Sequence, residues 1–381
     1  MALLSDEYVY VGTTRMRRGF TSGTAAALAA RAACDVLLGD EVPQHVRLRT
    51  PLGIDVRAPL ECCERGEGWV RCGVRKDGGD DVDATDGLLV TAQLSRADAC
   101  GVSIEGGEGV GRVTLPGLEQ PVGAAAINAG PRTMIAEQVE LSCALHAFDG
   151  GMRVEVAVPQ GRDVAARTFN PQLGIEGGIS ILGTSGIVEP RSLEALKASI
   201  ELEVRQKVAT GDGRLVIVPG NYGEAFARQL PALADVARVS CANYIGHALD
   251  CAVREGVAQV LLVGHLGKLV KVAGNIMDTH SRTADCRCEI VTAHAALAGA
   301  DTHVATALMA AATSDACLDI LHEAGLLEAV SASLAEAMGR NVARRCGGAC
   351  ESGAVFFTNA RGLLGASAGA RELLAQWGRR P

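Results

Sequence analysis

The stretch GHLGKLVKVAGNIMDTHSRTADCR, from Gly264 to Arg287, sets Lys268, Lys271, Arg282, Arg287, His265 and His280 among glycines and small residues. It follows the apolar run VAQVLLV, so basic side chains and bare backbone gather where a strand is expected to end. Three ligand chemistries suit such a loop: a phosphate, a metal ion or a polyanionic small molecule. Phosphate-loop spacing is not met, because two residues, not four, separate Gly264 from Gly267, and Leu269 rather than Ser or Thr follows Lys268. Cys286 and Cys288, with His280 and His294 nearby, lack the second spaced pair of a structural zinc site, and no metal site is expected.

Two other stretches invite chemistry. GGEGVGR at 106–112 places Arg112 where a dinucleotide fingerprint has its third glycine. KDGGDDVDATDG at 76–87 carries Asp77, Asp80, Asp81, Asp83 and Asp86 without the ligand spacing of a calcium loop. Those carboxylates repel one another unless donors or cations meet them, so a solvated turn and a functional loop both stay open. No nucleophile elbow or adjacent Ser–His–Asp pattern points to covalent catalysis.

The elements that must position these residues fall into two styles. TSGTAAALAARAACDVLLGD reads as a helix capped by Thr21, Ser22 or Thr24 and stopped by Gly39. HVRLRT, GIDVRAPL, WVRCGVR, LLVTAQL, GVSIE and RVTL follow as short strands between turn residues, which suits an antiparallel sheet. PRTMIAEQVELSCALHAF is a second helix and GMRVEVAVP a further strand. The expectation is an α+β two-layer domain over residues 1–164. A glycine-rich crossing segment and connecting helix cover 165–210, where Ile175, Ile179, Ile181 and Leu182 imply order rather than a tether. Over 211–381, RLVIVPG, ADVARVS, VAQVLLVG and GAVFFT alternate with helices, the pattern of an α/β, doubly wound, Rossmann-like parallel sheet. Ligands on such sheets sit at the carboxyl ends of the strands. That places a default cofactor site at VPGNYG, with Gly220 and Asn221, and at GHLGK, with Gly264 and Gly267.

Bulk composition narrows the function. The chain has 381 residues, 48% of them hydrophobic, enough for two domains with real cores. A net charge of −8 excludes non-specific nucleic-acid binding, so an anionic ligand must be met by local basic clusters. No run approaches a membrane span, and MALLSDEYVYVG lacks the regions of a secretory signal. The 13 cysteines are therefore expected as free thiols in a cytoplasmic protein.

Nine stretches taken in order carry a resemblance. They are RRGFTSGTAAALAARAA, VRKDGGDDVDATDG, GGEGVGRVTLPGL, AAINAGPRTMI, TFNPQLGIEGGISILGTSGIVEP, VPGNYG, CANYIGHAL, LLVGHLGKLVKVAGNIMDTHSRTADCR and FFTNARG. From about Arg17 to Gly362 the chain resembles the cobalt-precorrin-5B C-1 methyltransferases of anaerobic cobalamin biosynthesis. Ser22, Tyr244 and Asp278 depart from that family's pattern, and Asp278 adds a negative charge. The resemblance implies methyl transfer from S-adenosylmethionine to carbon 1 of a corrinoid, with cobalt present only as part of the substrate. It makes the ligand of the opening loop a polyanion with acetate and propionate arms. Lys268, Lys271, Arg282 and Arg287, joined by Lys76 and Arg112 across a domain cleft, are then its expected carboxylate partners. His265, His280 and Asp81 become candidate bases, and Gly183 and Thr184 join the cofactor set. The expected partner is the corrinoid, with a homo-oligomer and transient contacts to neighbouring pathway enzymes compatible with it. The readings from other classes are an NAD(P)H-dependent tetrapyrrole reductase, which the absence of GxGxxG after any strand disfavours, and a non-catalytic corrinoid carrier.

Overall fold

The computed structural model describes residues 7–11 and 13–379. They form two compact units, one ending at Leu193 and the next beginning at Glu194.

The first unit is built around the helix Ser22–Gly39. Thr21 caps it, its side chain accepting from the Thr24 N–H at 3.2 Å. The helix closes at Asp40, which takes the left-handed conformation with φ 64°, one residue beyond the expected stop at Gly39. An aspartate tolerates that conformation better than a bulky residue does. Ala25, Ala26, Ala27, Ala29, Ala30, Ala32 and Ala33 are all fully buried, because alanine leaves room for neighbours on every side of the helix. The helix Ala129–Leu145 and strands Trp69–Arg75 and Leu89–Ala97 pack against it.

The five-stranded sheet runs in the order Cys62–Gly66, Trp69–Arg75, Leu89–Ala97, Gly151–Ala157, Val102–Gly106. All neighbours are antiparallel except the last pair, which is parallel. A separate hairpin, His45–Arg49 with Asp55–Pro59, buries Val46, Leu48, Val56 and Ala58 and leaves alternate residues exposed. The expected strand RVTL shrinks to Arg112–Val113, paired with Ile175–Glu176.

The crossing segment is ordered. Ile175, Ile179 and Ile181 are buried, and Ile187–Val188 pairs with Gly19–Phe20. Leu182 differs, being 47% exposed. Its backbone does the tethering: its N–H donates to Ser22 Oγ at 2.9 Å and its carbonyl accepts from the Gly23 N–H at 2.9 Å.

The second unit starts within the helix Leu193–Thr210. Its sheet has the order Arg238–Ser240, Arg214–Val218, Gln259–His265, Glu351–Thr358, Gly362–Ala366. The first four strands are parallel and the last is antiparallel. That edge strand was not expected from GLLGA, which is short, glycine-bounded and weak in β-formers. Gln259–His265 is buried from Val260 to Gly264, as a central parallel strand covered on both faces must be. The chain leaves Arg214–Val218 toward one edge, then returns to lay Gln259–His265 on its other side. The strand order therefore reverses between these two strands.

Candidate functional site

Arg214–Val218 and Gln259–His265 each run straight into a helix, Asn221–Gln229 and Leu266–Ala273. Gly220 sits at the first junction with φ 103°, which a side chain rarely adopts, and no side chain caps the helix behind it. Among the described residues, chain neighbours aside, the only atom within 4 Å of a hypothetical Cβ on Gly220 is Lys268 Nζ, at 3.5 Å. Asn221 and Tyr222 lie exposed beside it.

His265 caps the second helix, its Nδ1 accepting from the Gly267 N–H at 3.1 Å. The neutral ring then carries its proton on Nε2. Phe357 holds this imidazole edge-on at 5.7 Å between ring centroids, and Tyr222 lies 6.4 Å away. Gly264 is different from Gly220. Its face is filled, with a Cβ there falling 2.8 Å from Pro219 Cγ and 3.1 Å from Leu269 Cγ. At Gly267 a Cβ would press on His265 Nδ1 at 3.3 Å.

Lys268 and Lys271 are three apart on the same helix and share a face. Lys268 Nζ donates to the Ala242 carbonyl at 3.1 Å, and Lys271 Nζ to the Thr279 carbonyl at 3.1 Å. Lys271 is 3% exposed. Among the described residues neither lysine pairs with a carboxylate. Burial pulls the Lys268 ammonium below its ordinary range, and the Lys271 charge adds to the effect.

The rest of the loop folds on itself. Asp278 accepts from the His280 N–H and the Thr283 hydroxyl, both at 3.0 Å, so the charge it adds is spent on loop geometry. His280 Nδ1 accepts from the Arg282 N–H at 3.1 Å. Arg287 is held by Asp285 through two bonds of 2.7 and 2.8 Å. Arg282 is exposed, and among the described residues its side chain has no partner. The loop is stitched to the start of the helix Ile245–Arg254 through Thr279 N–H to Asn243 O, 2.9 Å, and Gly246 N–H to Met277 O, 3.1 Å.

The first unit holds the remaining expected site residues, and it spends most of their charge internally. Lys76 is buried and reaches Asp83 at 2.5 Å. Arg17 forks onto Asp77 at 2.6 and 2.7 Å, and its N–H donates to Asp80. Asp81 accepts from the Arg191 N–H at 2.9 Å and Asp86 from the Gly78 N–H at 2.6 Å. All five aspartates thus have donors. Arg17 holds the Asp77 carboxyl below its usual range. Burial would raise Asp83, but Lys76 and Thr85 outweigh it and the net shift is downward. Arg112 pairs with Glu105 at 3.2 Å and also donates to the Gly106 and Gly123 carbonyls. Gly183, at φ 134°, packs on Thr21, where a Cβ would fall 2.1 Å from Oγ1.

The sequence reading missed Tyr222 and Glu203. Tyr222 stands inside the quoted VPGNYG and could have been read there. Glu203 is one polar residue of an unremarkable helical pattern and gave no signal. Burial raises its carboxyl to about 7, against the opposing pull of Lys207 and the Ser240 N–H. Glu201, His247 and Cys251 also bring ligand atoms together, all within 4.8 Å. Arg254 already lies in that group, donating to Glu201 at 2.9 Å and Cys251 at 3.1 Å, so its positive charge stands where a cation would. Among the described residues no helix is long and apolar enough to cross a membrane.

Fold and site define a class first: a mixed α/β protein with one mainly antiparallel and one mainly parallel sheet, the latter carrying unpaired lysines by its strand ends. Comparison with known proteins narrows it. A family model described as CbiD matches residues 10–190, and one described as CbiD, C-terminal domain, matches residues 278–368. A relative from Ruminiclostridium cellulolyticum named cobalt-precorrin-5B C(1)-methyltransferase is 43% identical over 331 residues, 87% of this chain and 86% of its own. One of the same name from Alkaliphilus metalliredigens is 38% identical over 369 residues, 97% of each chain. A crystal structure of a cobalamin biosynthesis protein, cbiD, from Archaeoglobus fulgidus is 29% identical, covers 74% of this chain and 87% of that one, and has a TM-score of 0.41. The chain belongs to the CbiD family of cobalt-precorrin-5B C(1)-methyltransferases.

Proposed function

We propose that this chain transfers a methyl group from S-adenosylmethionine to carbon 1 of cobalt-precorrin-5B, giving cobalt-precorrin-6A. The identity of 38% across 97% of both chains to a relative of that name is the observation that carries the reading. We read the second unit as the Rossmann-like, doubly wound domain expected over 211–381, with the first domain ending near 164 and a connecting segment between them.

The donor fits the strand-order reversal, where ligands of such sheets sit. Gly220 leaves the surface open, Asn221 and the exposed Tyr222 flank it, and Lys268 offers an ammonium that no carboxylate among the described residues neutralises. The carboxylate of the methionine moiety suits that ammonium. When bound, S-adenosylmethionine supplies an electrophilic methyl group on its sulfonium. The chain's own part is alignment and charge. Gly264 and Gly267 serve packing and the helix cap; Gly183 and Thr184 are the alternative donor loop.

For the corrinoid carboxylates we assign Arg282, which has no partner among the described residues; Lys271, buried and bonded to the Thr279 carbonyl, and Arg287, Lys76 and Arg112 are reached only by giving up present partners. The three expected bases each accept a backbone N–H: His265 from Gly267, His280 from Arg282, Asp81 from Arg191. Glu203 accepts one from Ser240 as well, yet burial holds it near 7, the range a proton acceptor needs at neutral pH. A cytoplasmic setting, a homo-oligomer and transient contact with enzymes that make the substrate and use the product belong to the same reading.

The test incubates the purified chain with isotope-labelled S-adenosylmethionine and cobalt-precorrin-5B under anaerobic conditions. Label at carbon 1 of the product is expected. Intact substrate with a folded enzyme overturns the reading, and reduction of the substrate in a parallel incubation that supplies NAD(P)H in place of S-adenosylmethionine favours the reductase.

A further inference from the structure

A polycarboxylate substrate needs free cations, and most of those expected to meet it are already engaged within the chain. The hairpin His45–Arg49/Asp55–Pro59 supplies others. Strict alternation puts Val46, Leu48, Val56 and Ala58 into the core and leaves Arg47, Arg49 and Arg57 exposed together on the opposite face. Arg47 stands directly opposite Arg57 in the antiparallel register. Like charges so placed destabilise a strand pair, with Cβ atoms about 5 Å apart. Among the described residues none of these three guanidiniums has an ion pair or hydrogen bond. In the same unit Arg17, Arg18, Arg31, Arg65, Arg71 and Arg75 each pair with a carboxylate. Arg153, Arg162, Arg167 and Arg191 have no ion pair among the described residues either, so the hairpin is set apart by two such arginines facing each other across one strand pair. The one acid on the hairpin face, Asp55, lies opposite Arg49 and not between Arg47 and Arg57. In a chain of net charge −8, an unrelieved basic pair is a local feature and not a global excess.

We propose that this hairpin face is a binding surface for the peripheral carboxylates of the macrocyclic substrate, centred on Arg47 and Arg57 with Arg49 beside them. The proposal rests on the functional reading above and deepens it. Two guanidinium forks on facing strands can each take one carboxylate or share one, which relieves their repulsion. A three-residue face is too small for a stable protein partner, which needs about 800 Å² per side. The hairpin turn is anchored, its Leu52 N–H donating to the Ser185 carbonyl at 3.2 Å.

The probes are cobyrinic acid, whose side chains end in free carboxylates, and its heptamethyl ester, titrated into the full chain and into the double variant Arg47→Gln/Arg57→Gln. Wild type is expected to bind the acid more tightly than the ester. The variant should lose about tenfold or more in affinity for the acid, leave ester and S-adenosylmethionine affinities unchanged, and melt no lower than wild type. Arg47→Lys/Arg57→Lys, keeping charge without the fork, should fall between. Equal acid affinity in wild type and Gln variant, with S-adenosylmethionine bound normally, overturns the hairpin assignment alone. A wild type that binds neither macrocycle nor S-adenosylmethionine overturns the functional reading and this proposal with it.

Discussion

The loop at 77–86 and the helix Leu266–Ala273 both set like charges close together in the sequence, five aspartates in one and two lysines in the other. Folded, they are opposites. In the loop, five aspartates meet Arg17, Lys76 and backbone N–H groups of Gly78, Gly79, Thr85 and Arg191, and its charge is consumed in holding its own shape. On the helix, Lys268 and Lys271 meet, among the described residues, only carbonyl oxygens, and their charge is left over. What separates a charge cluster consumed by the fold from one left over is the partner, supplied to the loop both locally, by Lys76 and Thr85, and from afar, by Arg17 and Arg191. Two half-buried carboxyls show the same split. Asp83 is drawn down because Lys76 and Thr85 outweigh burial, while Glu203 is pushed up to about 7 because burial outweighs Lys207.

The largest effect expected from breaking this contrast is at Lys76. Lys76→Ala strands Asp83 without its cation and should cost about 3–5 kcal/mol in chemical denaturation, as loss of one member of a buried pair does. A loss under about 1 kcal/mol would make the loop a solvated turn after all.

Next comes the pH dependence set by Glu203. Its carboxyl titrates near 7 when folded, against an ordinary 4.5, so the folded chain retains a proton that the unfolded chain releases between those values. Its contribution to stability is complete below about 4.5 and is lost as pH rises through 7, roughly 3 kcal/mol in all. Glu203→Gln should flatten that decline and be the more stable protein at pH 8. Parallel stability profiles of the two proteins would refute the assignment.

Much of the fold was legible because it rests on local signals. The alanine run of Ser22–Gly39, the alternation of His45–Arg49 and the apolar run of Gln259–His265 each name their own element. Gly362–Ala366 did not, since an edge strand of Gly, Leu and Ala is defined only by the neighbour it pairs with. At the site, Gly220 and Lys268 could be read from strand ends, and the structure brings them together. Gly264 looked the same in sequence, but Pro219 fills its open face. Glu203 was invisible because burial, not spacing, sets its character. The hairpin arginines read as ordinary polar positions of a strand, and only the register shows that two of them face each other.

In the proposed function the Lys268 ammonium at the strand-order reversal holds the methyl donor. Calorimetric titration of S-adenosylmethionine into Lys268→Met tests it most directly, with unfolding followed on the same protein. Removing a desolvated charge that lacks a carboxylate should leave stability unchanged or improved, while donor affinity falls by about tenfold or more. Wild-type affinity in a folded Lys268→Met protein would contradict the claim and move the donor away from these strand ends.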